Sequence, residues 1–458
     1  MATLSGPVTG GDRGWPFGAA AFDLTALGYV EEEYFFEGEA VRYRHAAGTT
    51  RSQDGHWSAE VAGSAPFKTR MLVRRPVDPA RFNGTVVALW NNVSRGFDIF
   101  VGESPEIYRG GFAIAFISVQ RVGVHGFPLK PERGLIEWDK ARYGTLSIPN
   151  DDYAYDIYTQ AARLIGPDRP RGAVDPLGGL KVRKVVAAGV SQSAVKLVTY
   201  LNAIQPAEKT FDAFFIHLFF GNGSLLEDPR ADDPVVKRVE DIMPLAKLMP
   251  PGSHLVRDDL GVPVFVMNSE TESVLHYPVR RADSDTYRFW EVTGVGHGSA
   301  TGASKIPSNE PRDLGITRHE MAPGGAPHNV LTHEPVNSAA LAHLQRWLTE
   351  GVPPPVQPRI EFAGDPPRPV RDANGIAVGG IRLPQVAVPT ARHTGVDDDG
   401  VLEMFGTSVP FSYEKLHQLY ASPADWRRKL EQAADAAVAA GYLLKVDADA
   451  IVEEAIKA

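Results

Sequence analysis

The stretch V-R-K-V-V-A-A-G-V-S-Q-S-A-V-K-L-V-T-Y-L-N-A-I, residues 182–204, changes its hydrophobic period in the middle. Residues 182–190 form a short apolar run of the kind that makes a buried strand, whereas residues 194–204 carry their apolar side chains at helical spacing. The chain must therefore turn sharply through Gly189, Val190, Ser191, Gln192 and Ser193. A hydroxyl on such a turn projects beyond the strand end, and the helix behind it offers backbone N–H groups and a positive dipole end to a developing oxyanion. The Gly-x-Ser-x-Gly spacing is met except at its last position, where Ser193 is small but not glycine. A helix N-cap is the plainer role for a serine here. The glycine before Ser191 and the small residue after it favour a nucleophile.

Outward from this turn, residues 85–90 (T-V-V-A-L-W) read as a central strand ending in the polar loop from Asn91 to Gly96, and residues 112–119 as the next buried strand. Residues 152–165 have helical spacing. After the turn come strands over 213–220, 263–268 and 287–292, then a helix over 337–350 that stops at Gly351. Earlier stretches, 31–44, 57–61 and 67–75, suggest antiparallel strands. Strands alternating with helices imply an α/β protein with a mostly parallel central sheet flanked by helices. Residues 221–259, polar and proline-punctuated, fall where a lid insertion is expected. The proline-rich segment 353–389 reads as extended coil, and two helices close the chain, the first capped by Ser422 and the second by Asp447. No strand is expected before Gly10, Gly11, Gly14 and Gly18, so they read as coil, not as a phosphate loop.

Composition narrows the function. At 458 residues and 43% hydrophobic content the chain can bury a large core. Its net charge of -9, with no basic run, argues against nucleic acid and favours a small-molecule substrate. No cysteine is present, which removes disulfides, thiolate nucleophiles and cysteine metal sites. The first residues have neither a basic segment nor an apolar core, so a cytoplasmic location is the expectation. No apolar run approaches the roughly 20 residues of a membrane span. Neither a cofactor nor a metal is expected, and the oligomeric state is left open.

A serine hydroxyl needs a base, and the base needs an acid to orient it. Of the thirteen histidines, His217 falls within a strand, His343 and His417 on helices, and His45, His56 and His393 in peripheral segments. His328 and His333, beside Glu334, lack the spacing of a metal motif and read as surface histidines. His297 differs: it follows strand 287–292 through Thr293, Gly294, Val295 and Gly296, at the strand end where open α/β sheets place their chemistry. The acid should leave the preceding strand, where Glu270 and Glu272 compete. Glu272 lies deeper in the loop and is preferred, with Glu270 the alternative that braces the loop. The order Ser191, Glu272, His297 matches the α/β-hydrolase arrangement. The backbone N–H of Gln192 supplies one oxyanion donor and that of Asn92 or Val93 the other. Trp90, Tyr153 and Trp290 read as core aromatics.

Several further stretches carry a resemblance: D-L-T-A-L-G-Y-V-E-E-E-Y-F-F-E-G (23–38), W-N-N-V-S (90–94), S-V-Q-R-V-G-V (118–124), R-Y-G-T-L (142–146), G-V-S-Q-S (189–193), N-S-E-T-E (268–272) and G-G-I-R-L-P (379–384). With these the chain resembles a family of α/β-hydrolase domain proteins of serine-esterase type. Relatives tend to carry Asp where Glu272 stands and Gly where Arg95 stands. The resemblance covers nearly the whole chain and implies one catalytic domain over 1–458, with 353–458 as an extension packed on it. The expected activity is hydrolysis of a small-molecule carboxylic ester through an acyl-enzyme. An acyltransferase with the same triad, or a binding protein on the same scaffold, are the other readings.

Overall fold

The structure, a computed structural model, describes residues 2–128, 130–170, 172, 174–227, 252–300, 303–316, 327–396 and 404–457. Among these, one sheet contains nine strands: β1 (Thr3–Ser5), β2 (Tyr29–His45), β3 (Ala59–Pro76), β4 (Thr85–Trp90), β5 (Ala113–Ile117), β6 (Lys184–Val190), β7 (Ala213–His217), β8 (Val264–Ser269) and β9 (Tyr287–Val292). Their order is β1-β2-β3-β5-β4-β6-β7-β8-β9. β1, β2, β3 and β5 pair antiparallel, and from β5 onward every pairing is parallel. Almost every residue of β4 to β9 is buried, as expected of parallel strands covered on both faces.

One face packs against helices α1 (Ala154–Ile165) and α2 (Gln192–Thr199), through Trp90, Tyr158, Leu197 and Phe214. On the opposite face, Val87, Leu89, Phe265 and Trp290 meet α4 (Glu334–Glu350), α5 (Pro423–Ala439) and α6 (Lys445–Lys457), α3 (Glu270–His276) being the short helix that follows β8. The C-terminal helices thus share a hydrophobic core with the sheet. β4 lies between β5 and β6, so the chain leaves it first to one side and then to the other. Such a switch point opens a crevice at the carboxyl ends of the strands, where ligands of open α/β sheets bind.

Several sequence expectations are corrected. Most of the stretch 57–61, from Ala59 on, and all of 67–75 belong to one strand, β3: a bulge where the register shifts between Arg42 and Tyr43 absorbs the glycine-containing break, and pairing with β2 continues through it. β1 does precede the early glycines, although only a 3-10 turn (Thr25–Leu27) follows them. Asp447 is not a cap. It lies inside the first turn of α6, where its carboxylate receives a two-pronged bond from Arg109 at 2.7 and 2.8 Å. Ser422 does cap α5, accepting from the Asp425 N–H. β9 is the last strand of the sheet, and segment 379–381 covers its edge: the Ile381 N–H donates to Glu291 O and the Thr293 N–H to Ile381 O. Of the expected lid, residues 228–251 lie outside the described residues.

Candidate active site

Ser191 is the residue between β6 and α2, with φ 60° and ψ −118°. A non-glycine residue at positive φ is strained, and such strain persists only where the surroundings enforce it. Here they do. The Ser191 N–H donates to the His217 carbonyl at 2.9 Å, and the Val195 N–H to the Ser191 carbonyl at 3.1 Å. Ser193 staples the turn, its hydroxyl donating to Val190 O at 2.9 Å and accepting from Val190 N at 2.8 Å. A β-carbon on Gly189 would lie 2.8 Å from the Ser193 carbonyl oxygen, which accounts for glycine there.

The loop after β4 closes on this elbow. Asn92 Nδ2 donates to Val190 O at 3.0 Å, and the Val93 N–H donates to Gln192 Oε1 at 3.2 Å. Gln192 Nε2 in turn donates to Gln120 Oε1, which also receives the Trp90 indole N–H, each at 3.0 Å. Gln120 Nε2 donates to Asp151 at 2.8 Å. Below the loop, Asp98 accepts from the Ser118 hydroxyl and from Arg70. Arg95 pairs with Glu310 at 2.5 Å.

The two competing carboxylates are parted by geometry. Two residues apart in the first turn of α3, they project in different directions. Glu272 Oε1 lies 2.6 Å from His297 Nδ1, and its Oε2 accepts from the Ser269 N–H and hydroxyl at 2.8 and 2.6 Å in a capping box. Burial raises the Glu272 carboxyl, but the adjacent His297 and the hydrogen bonds from His297 and Ser269 hold it below its ordinary value. Glu270 is equally buried yet turned away: Oε2 accepts the Gly294 N–H at 2.7 Å and Oε1 accepts from Arg371 at 2.6 Å. The His297 N–H donates to Thr271 Oγ1 at 3.1 Å, and its ring stacks on Phe220 with centroids 5.3 Å apart.

Two more histidines stand beside this group. His217 ends β7 and is 2% exposed; its ring meets that of His333 edge-on at 4.5 Å. Burial drives the His217 imidazole far below its ordinary value, with His333 and His297 adding to the effect. His333 is pushed down to about 4, by burial first, while Glu272 pulls it up and His297 down. The surface reading of His328 and His333 is therefore corrected: His328 is 5% exposed and stacks on Phe405, because the segments 391–396 and 404–410 fold over it. The available signals were His217's place at a strand's carboxyl end and His333's at the start of the helix that follows the base loop. Among the described residues, metal-ligand atoms of three groups converge at His56, Asp258 and Asp259, all exposed, with both carboxylates already paired to Arg281 and Arg257. A groove of about 740 Å³ opens at the opposite, amino ends of β6 to β8, remote from Ser191.

A strained serine elbow at the switch point, with a buried carboxylate–histidine pair at the ends of the next strands, defines an α/β hydrolase. A family model described as alpha/beta hydrolase domain matches residues 4–453, and the chain belongs to that family. Among solved structures it is similar to esterase Est22, at 12% identity over 58% of this chain and 72% of that one (TM-score 0.28). It is similar also to ferulic acid esterase from Streptomyces cinnamoneus, at 12% identity over 69% and 91% (TM-score 0.33). Est1E from Butyrivibrio proteoclasticus follows at 10% over 55% and 88% (TM-score 0.24). No curated protein sequence matches the chain.

Proposed function

We propose that the protein cleaves a carboxylic ester through an acyl-enzyme, with Ser191 as nucleophile, His297 as base and Glu272 as the acid that orients it. The observation that carries this reading is the 2.6 Å contact between Glu272 Oε1 and His297 Nδ1, at the same sheet end as the strained Ser191. A buried carboxylate on Nδ1 fixes the tautomer, leaving Nε2 to take the serine proton and stabilising the imidazolium that forms. Ser191 Oγ then attacks the ester carbonyl, and the imidazolium returns its proton to the departing alkoxide. In the second half His297 deprotonates water, which attacks the acyl carbonyl, and the imidazolium returns that proton to Ser191 Oγ as the carboxylic acid leaves. The oxyanion is received by the backbone N–H of Gln192 and by that of Asn92 or Val93. At Val93 it replaces the Gln192 carboxamide oxygen, which holds that N–H now. The extension 353–458 belongs to the same catalytic unit in this reading, supported by the core it shares with the sheet.

Labelling with a fluorophosphonate probe tests the proposal, alongside turnover of p-nitrophenyl esters of increasing acyl length. Wild type is expected to label and turn over, and Ser191→Ala to do neither. A folded wild type that does not label would sink the reading. Faster product formation with an added alcohol acceptor, in place of hydrolysis, would move it to acyl transfer.

A further inference from the structure

His297 reaches its acid only if the loop from Thr293 to Gly298 is correctly placed, and that loop is held by residues far along the chain. Two threads of hydrogen bonds run into it. In the first, Arg371 Nη1 donates to Glu270 Oε1 at 2.6 Å, and Glu270 Oε2 accepts the Gly294 N–H at 2.7 Å. In the second, Thr271 Oγ1 donates to Gly395 O at 2.6 Å and accepts the His297 N–H at 3.1 Å. Arg371 closes the circuit, since its Nη2 donates to the Val396 carbonyl at 2.8 Å, one residue beyond Gly395. Approach at Gly395 is tight: a β-carbon there would lie 2.4 Å from Val295 O and 2.7 Å from Glu270 Cβ.

Glu270 is completely buried and the Arg371 side chain is 17% exposed, so the pair is largely desolvated. A guanidinium that forks between a carboxylate and a carbonyl has a fixed geometry that an ammonium cannot reproduce. Arg371 is itself held in place by a tight turn, in which Asp372 accepts from the N–H groups of Asn374 and Ile376.

We propose that Arg371 is a positioning residue for the catalytic base: by clamping Glu270 and the Val396 carbonyl together it fixes the Gly294 to His297 loop, and so the His297–Glu272 contact. The proposal rests on the reading of His297 as base. It gives the segment around 371–396 a part in the chemistry through the loop it holds.

Arg371→Met tests this. It should lower kcat about ten- to a hundred-fold, the cost of a misplaced catalytic group, while KM changes by less than about two-fold. The titration of the His297 imidazole, followed by NMR, should shift as the Glu272 contact loosens. Arg371→Lys, which keeps the charge but not the fork, should recover part of both. Should Arg371→Met not fold, because Glu270 is left buried and uncompensated, Arg371→Met/Glu270→Gln removes that charge and is read the same way. A folded variant with wild-type kcat and an unmoved His297 titration overturns the proposal. If wild type neither labels nor hydrolyses esters, the esterase reading fails, whereas the NMR titration still tests Arg371.

Discussion

The loop after β4 and the loop after β9 meet at one crevice, yet they are braced by different chemistry. Beneath the first lies a sealed ionic network from the N-terminal strands: Arg70 reaches Glu33 at 2.8 Å and Asp98 at 3.3 Å, and Arg142 reaches Glu33 at 2.6 Å, with side chains no more than 4% exposed. Around the second loop lies the C-terminal segment, which among the described residues meets it through one ion pair, Arg371 to Glu270, and through the Gly395 carbonyl, while Asn329 donates to Gly294 O. Burying several charges commits the first brace to completeness, since each ion is stable there only while all its partners remain. The second brace has fewer charges and holds the proposed base directly. Its failure should appear in the rate before it appears in the fold.

The sharpest way to break the comparison is inside the second region. Glu272→Gln removes the charge that orients His297 and should lower kcat by about ten-thousand-fold, on the scale of other triad acids. Glu270→Gln keeps an amide oxygen for the Gly294 N–H but turns its NH2 toward Arg371, and should cost about ten- to a hundred-fold, as Arg371→Met does. Both are read from steady-state kinetics on one p-nitrophenyl ester. The reverse ranking would make Glu270 the acid and the brace around it part of the triad.

The matching break in the first region is Arg70→Met. It leaves Glu33 and Asp98 buried without their shared cation, and should destabilise the fold by about 3–5 kcal/mol. Urea unfolding followed by tryptophan fluorescence measures this. Among molecules still folded, kcat should stay near wild type, because Arg70 stands behind Ser118 and Asp98 and does not touch the elbow. A loss below about 1 kcal/mol would mean that the network contributes little and that the two braces are alike.

The same contrast separates what could be read in the sequence from what could not. The parallel strands and the Ser191 turn were legible because apolar runs and a change of period are local signals. That a carboxylate after β8 would meet a histidine after β9 was legible from chain order. Which glutamate faces His297 depended on how α3 leaves β8, which a capping box decides. Arg371 lies 101 residues beyond Glu270, and no local pattern joins them. His333 looked exposed because its neighbours are prolines and polar residues, although long-range packing sets it against His217. Asp447 was the right residue type for a cap, but an arginine far away in sequence took its carboxylate. Local chemistry thus revealed the strands and candidate catalytic residues, and long-range contacts supplied the support that holds them.

Acid should tell the two braces apart with no mutation at all. His393 lies against Gly294 in the second brace, 4% exposed, and burial pushes its imidazole down to about 4, against about 6.5 in an unfolded chain. Its folded value is the lower one, so between these limits the unfolded chain binds the extra proton. The stability tied to neutral His393 is therefore present above about pH 6.5 and lost as pH falls toward 4, about 2 kcal/mol of it by pH 5. His333 and His276, pushed to about 4 and about 3, act in the same sense. The ionic network of the first brace contains no histidine. Its Arg70 is pulled down by burial but lifted further by Tyr143, Glu33 and Asp98, and stays charged throughout. Hydrogen exchange measured between pH 7 and pH 5, corrected for intrinsic rates, should thus show protection lost at amides 293–297 and 391–396 while amides 67–75 of β3 remain protected. Simultaneous loss in both regions would mean that acid unfolds the protein as one unit and that the difference between the braces has no energetic weight. If the second region alone loosens, His393→Phe should keep it closed at pH 5, because that ring fills the same space and binds no proton.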